Sequence, residues 1–152
     1  DSVSEFMQAI YKKRVMSGFV GQWIDRRGDQ LEQEWGERRE AFIDSYELSQ
    51  EAKDALWAFA AKENIEIVES KSDLPEAAAD TSGAQTTFLR SAVRADEEKL
   101  YTYVKSLLGR RMFGVSTRVK IQNQVDPELN EALKLWERAE QLLTMYHTDV
   151  QR

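Results

Sequence analysis

One histidine, His147, two serine–lysine neighbourhoods and one run of acids are the first residues to test for chemistry in this chain of 152. A lone imidazole near a chain end, where chains fray, reads more readily as a solvated or dipole-paired side chain than as a general base. Ser49 with Lys53, and Ser70-Lys71-Ser72, have the types for a Ser–Lys dyad. Such a dyad needs a desolvated lysine whose pKa has fallen. Ser49 is better read as a helix cap, and Lys71 stands in an acidic loop that keeps it charged. Asp96, Glu97 and Glu98 are contiguous, so on a helix they diverge and do not meet on one substrate atom. They read as a solvated face. The absence of cysteine removes thiolate catalysis, disulfides and Cys-type zinc sites. With a single histidine, a zinc site would need several carboxylates. The seven glycines are scattered and form neither GxGxxG nor GxxxxGK. The sequence therefore predicts no catalytic residue, no cofactor site and no metal site.

Binding remains. A net charge of −6 argues against a general nucleic-acid or anionic-membrane surface and leaves room only for local basic patches. No stretch approaches the roughly 20 apolar residues of a membrane span. The basic pairs Arg26-Arg27, Arg38-Arg39 and Arg110-Arg111 alternate with acids and read mainly as ion pairs. Arg110 and Arg111 also suit the negative end of a helix, and arginine forks suit a partner's carboxylate. Phe113 stands beside them at a turn. Trp57 lies between Leu56 and Phe59, beside the inward stripe of its helix rather than on it. It is either a contact for another domain or subunit, or part of a broad core face. Trp57, Arg110, Arg111 and Phe113 are thus the candidate partner-binding residues, and the partner is a protein.

The elements that would position them follow from periodicity. Ser2 and Glu5 form a capping-box pattern, and apolar residues from Phe6 to Leu31 predict one long helix over about 3–34, straight or kinked, weakened by Gly18, Gly21 and Gly28. Gly36 breaks it, and a short helix is expected over 37–45. Ser49 caps a helix whose inward stripe is Ala52, Leu56, Phe59 and Ala60, stopping at Asn64. The fragment Ile65–Val68 is strand-like but, as a single short strand, reads as an extended link. Residues 69–85 are acidic and rich in small residues, and predict a loop. A helix resumes near Thr86 and ends at Arg110, Arg111 and Gly114. Asp126-Pro127-Glu128 starts the last helix, with Leu129, Ala132, Leu133, Trp136, Ala139, Leu143 and Tyr146 on its period. The fold expected is all-α: a bundle of four to six helices with one long acidic loop, a single domain over 1–152. No signal peptide is visible at Asp1. The chain lacks a starting Met and its helical pattern begins at once, so a mature product or the C-terminal part of a longer protein is expected.

Two segments resemble a known region. "FIDSYELSQEAKDALWAFAAKENIEI", residues 42–67, and "YTYVKSLLGRRMFGVSTRVKIQNQVDPELNEAL", residues 101–133, are similar in order and spacing to the C-terminal helical region of S41-family serine peptidases. These are the carboxyl-terminal processing, or tail-specific, proteases, in the form common in Bacteroidetes-like bacteria. Asn123 and Asp126 match the Asn-x-x-Asp-Pro lead-in to that region's final helix, and the resemblance spans roughly residues 15–143. It implies a PDZ domain and a peptidase core upstream, a Ser–Lys dyad in that core, and a place in the bacterial cell envelope or periplasm. None of the catalytic motifs occurs here, and the 69–85 loop is bulkier than the pattern. The implied role is non-catalytic: packing on the peptidase core, oligomerisation, or recruitment of substrate or adaptor proteins. The alternatives are a free-standing helical interaction module and a small enzyme, the latter requiring a polar pocket.

Overall fold

The computed structural model describes residues 3–75, 86–125 and 127–150, with side chains as far as Tyr146. Ser2, Asp126 and the side chain of His147 lie outside the described residues, as does 76–85 of the acidic loop. The fold is all-α, as expected. The described residues form seven helices where periodicity predicts four to six. These are α1 (Glu5–Lys12), α2 (Val15–Trp35), α3 (Arg39–Ser45), α4 (Gln50–Lys62), α5 (Arg90–Phe113), α6 (Val115–Gln122) and α7 (Pro127–Val150).

The single helix expected over 3–34 is two. Ser4, not Ser2, caps α1: its hydroxyl accepts from the Met7 amide at 3.1 Å. The same hydroxyl donates to Asp96 of α5 at 2.6 Å, which fastens the start of α1 across the bundle. The break falls at Arg14, in the left-handed region at φ 57°, and not at a glycine. It lets α1 fold against α2 so that Phe6, Ile10, Val15 and Phe19 all enter one core. Gly18, Gly21 and Gly28 stay inside α2.

Ser49 caps α4 by accepting from the Ala52 amide at 3.1 Å, and Asn64 leaves the helix with φ 68°. The segment after it is a strand, which corrects the reading of an extended link. β1 (Glu66–Val68) pairs in parallel with β2 (Thr87–Leu89), Ile67 opposite Phe88. The α5 helix accordingly begins at Arg90, after a strand, rather than near Thr86. A short strand that is unstable alone is held here by its partner and by Phe88, whose ring meets Phe6 edge-on at 5.5 Å.

A second correction concerns residues 115–122. The Gly114 turn does not lead directly to the final helix but into α6, which doubles back along α5. Two glycines make this possible. Gly114 adopts φ 104° and ψ 179°, a conformation essentially confined to glycine. At Gly109 a side chain has no room: a Cβ would sit 2.9 Å from Thr117 Cγ2 and 3.0 Å from Ile121 Cδ1. Thr117 and Ile121 are fully buried there. Arg39 of α3 ties the contact down, its Nε donating to Thr117 Oγ1 at 2.7 Å.

Gly109→Ala is expected to destabilise the protein by about 1–3 kcal/mol through overpacking against α6. Gly21→Ala, with open space around the new methyl, should stabilise it by up to ~1 kcal/mol. Urea denaturation of both variants checks this; equal effects would contradict the close approach.

Candidate functional site

The serines and acids with chemical potential are occupied in structural work. Lys53 lies over the Tyr101 ring, its Nζ 4.8 Å from the ring centre, and does not meet the Ser49 hydroxyl, which caps α4. Ser70 contacts Ser72 at 2.8 Å and donates to Asp73 at 3.1 Å, holding a 3-10 turn over Lys71–Asp73. Asp96 is not on a solvated face; it is buried as the acceptor for Ser4. Among the described residues no group of three or more His, Cys, Asp or Glu is placed to hold a metal ion. No described helix is long and apolar enough to cross a membrane.

The four candidate contact residues divide in two. Trp57 is half-buried, stacks on Phe6 at 6.1 Å and donates its indole N–H to Tyr101 Oη at 2.9 Å. Phe113 packs edge-on against Phe42 at 5.4 Å. Both extend the core. Arg110 and Arg111 are exposed in the last turn of α5, where their charge suits the helix end. The other arginine pairs are held internally. Arg27 pairs with Glu51, and Arg38 lies over Trp35 at 4.9 Å.

The apolar surface left uncovered belongs to α7. Its core side is Leu129 and Leu133, both buried, and Trp136, whose ring lies 4.9 Å from Tyr11. Buried Asn130 accepts from Tyr103 Oη at 2.7 Å. Glu137 meets Arg118 of α6 at 2.5 Å, and Glu140 meets Arg14 at 3.5 Å. At about 100° per residue, Leu135, Ala139 and Leu142 point within roughly 40° of directly away from Glu137. Leu135, Leu142, Leu143, Met145 and Tyr146 are each 59–65% exposed. Ala139 and Tyr146, which periodicity places on the core stripe, therefore turn away from Glu137, while Leu143, seven residues after Trp136 and so on its side of the helix, is exposed all the same. Val115 and Val119 add two exposed valines one turn apart on α6. A helix apolar on both faces has a second surface to bury.

A pocket of about 190 Å³, apolar inside and edged by charged residues, lies where α1, α2, α5, α6 and α7 meet. Arg14, Arg110, Arg118, Glu137 and Glu140 stand around it, with Tyr11, Tyr103 and Gln122. Of these, the sequence singled out only Arg110. Burial pushes the Tyr11 hydroxyl up to about 12, aided by the charges of Glu140 and Glu137. On the opposite side of the bundle, burial likewise pushes Tyr46 up to about 12, with Glu34 adding to it. Lys105, half-buried, has its pKa lowered by desolvation and donates to the Ile43 carbonyl at 2.8 Å, at the end of α3.

These features define a small all-α fold with an exposed apolar strip on α7 and a pocket edged by charged residues. The chain matches no protein-family model, no curated protein and no solved structure.

Raised folded-state values for Tyr11 and Tyr46 give the folded protein the higher proton affinity above the ordinary tyrosine value of 10.0. Their contribution is complete below pH 10 and is lost as pH rises through about 12. A phenolate absorbance titration should show Tyr11, Tyr46 and Tyr101, which burial also raises, ionising above the ordinary value, with stability falling as they do. All five ionising together near 10 would contradict these environments.

Proposed function

We propose that this chain is a non-catalytic helical domain that binds another protein through the outward face of α7. The observation that carries the reading is the exposed stripe of Leu135, Ala139 and Leu142, continued by Tyr146, on a helix that packs Leu129 and Leu133 on its other side. Spacings of four and three residues are those by which an amphipathic helix seats anchors in a partner's groove. Large exposed aliphatic groups in one strip mark interaction surfaces on soluble proteins. The serines, lysines and acids with catalytic potential are engaged in caps, turns and a cation–π contact, which supports the absence of a catalytic role for them.

Within that reading we propose the S41-like form: a C-terminal helical domain of an envelope peptidase that packs on its own core, another subunit, or an adaptor or substrate protein. What supports it is the resemblance of residues 42–67 and 101–133. The free-standing interaction module shares the α7 surface and differs only in what is attached.

Two tests separate these. Leu135→Asp with Leu142→Asp should leave stability within about 0.5 kcal/mol, because both side chains are exposed. In affinity purification from the native source, compared by quantitative mass spectrometry, the same double variant should lose a specific partner that the parent retains. Unchanged recovery of every partner would contradict the α7 surface. Separately, the S41-like form requires a native polypeptide much heavier than the 17.6 kDa of this chain. An intact mass near 17.6 kDa would remove that form and leave the interaction module.

A further inference from the structure

We propose that the pocket between α1, α2, α5, α6 and α7 binds a small monocarboxylate carrying one compact apolar group. Three independent features point there. The first is shape and lining. Its volume of about 190 Å³ is somewhat larger than a cavity that accepts benzene, about 150 Å³. Ile10, Met16, Leu107 and Leu133 give it an apolar part, while its charged groups stand around them.

The second feature is charge. Three arginines face two glutamates. Arg118 is paired with Glu137 and Arg14 with Glu140, so each acid already holds a cation. Arg110 has no ion pair among the described residues and is exposed at the pocket's edge. One cation in excess suits one negative charge, and a guanidinium fork presents two parallel donors to a carboxylate.

The third feature is unmet hydrogen bonding. Among the described residues, two buried side-chain polar atoms lack a hydrogen-bond partner, Tyr11 Oη and Arg118 Nε. Both residues line this pocket. Glu140 opposes the ionisation of Tyr11 both by its charge and as an acceptor for the hydroxyl, though the geometry of that contact is poor. Buried donors without good acceptors are rare in native proteins and costly, and both of these belong to residues that line one cavity. A carboxylate brings acceptors only. The ligand's carboxylate therefore sits towards Arg110, and its apolar group lies over Ile10 and Leu133. Isolated packing defects would be expected to scatter through the core, and an anion site on Arg110 alone would not need the apolar part.

The probe is phenylacetate, whose ring is benzene-sized, with phenylacetamide as the uncharged isostere and acetate as the carboxylate without a ring. The readout is the Trp136 indole N–H signal of the full chain in two-dimensional NMR, because Trp136 packs against Tyr11 at the pocket. Phenylacetate should shift it saturably, with phenylacetamide and acetate each at least roughly tenfold weaker. Arg110→Ala should weaken phenylacetate by roughly tenfold or more, while Arg111→Ala, next in sequence but outside the pocket, should not. Both arginines are exposed, so both variants fold. The proposal is overturned by the absence of a saturable shift, by equal response to phenylacetamide or acetate, by an unaffected Arg110→Ala, or by equal loss in Arg111→Ala.

Discussion

The close approach of α6 to α5 at Gly109 is the constraint on which the second half of the molecule depends. Because no side chain stands there, Thr117 and Ile121 can be buried directly against the backbone of α5. Gly114, at φ 104°, supplies the reversal that brings α6 back. Once α6 is seated, Arg118 is carried to the face where Glu137 of α7 can meet it, and Arg39 reaches Thr117 and Ser116 from α3. The direction of α7 is thus set by a missing methyl group one helix earlier, and with it which side of α7 is packed and which is left outward.

The first half of the molecule solves a related problem with different means. Arg14 bears a left-handed backbone conformation that reverses α1 onto α2, and the Ser4–Asp96 hydrogen bond fastens the free end of α1 to α5. Removing one partner of a buried pair of this kind leaves the other's desolvation uncompensated, so the contact disfavours other registers of α1. The two halves meet around Tyr11, whose ring lies on Trp136 of α7 and whose neighbours include Arg14 and Glu140. The charged pocket is a consequence of that meeting: it forms where a helix placed by Arg14 faces a helix placed by α6.

Local signals in the sequence reported local facts well. Ser49, Gly114 and Pro127 mark helix ends as cap chemistry requires, and the apolar stripes of α4 and α5 are buried at Leu56, Ala60, Val93, Leu100 and Val104. Features created by distant partners were not legible. β1 reads as a link because the strand that completes it lies twenty-one residues on, and Thr86-Thr87-Phe88, rich in strand formers, reads as the opening of a helix. The break at Arg14 carries no glycine or proline to announce it. α6 was hidden by its position after a glycine turn, although Thr117 and Ile121 are one helical turn apart. On α7 the 3.6-residue period is satisfied by residues of both faces, so periodicity placed outward Tyr146 with inward Leu133. The pocket joins Arg14 to Glu140 across 126 residues, and no single-sequence pattern encodes such a pairing.

The central claim is that the outward face of α7 is covered by another protein in its working state. The most direct measurement places a photo-crosslinking amino acid at Leu142 in the native source, with Ala58, exposed on α4, as the control position. The account predicts a defined adduct of one mass at Leu142, from a partner chain or a second copy, and none at Ala58. A Leu142 position that crosslinks no more than Ala58 would contradict it.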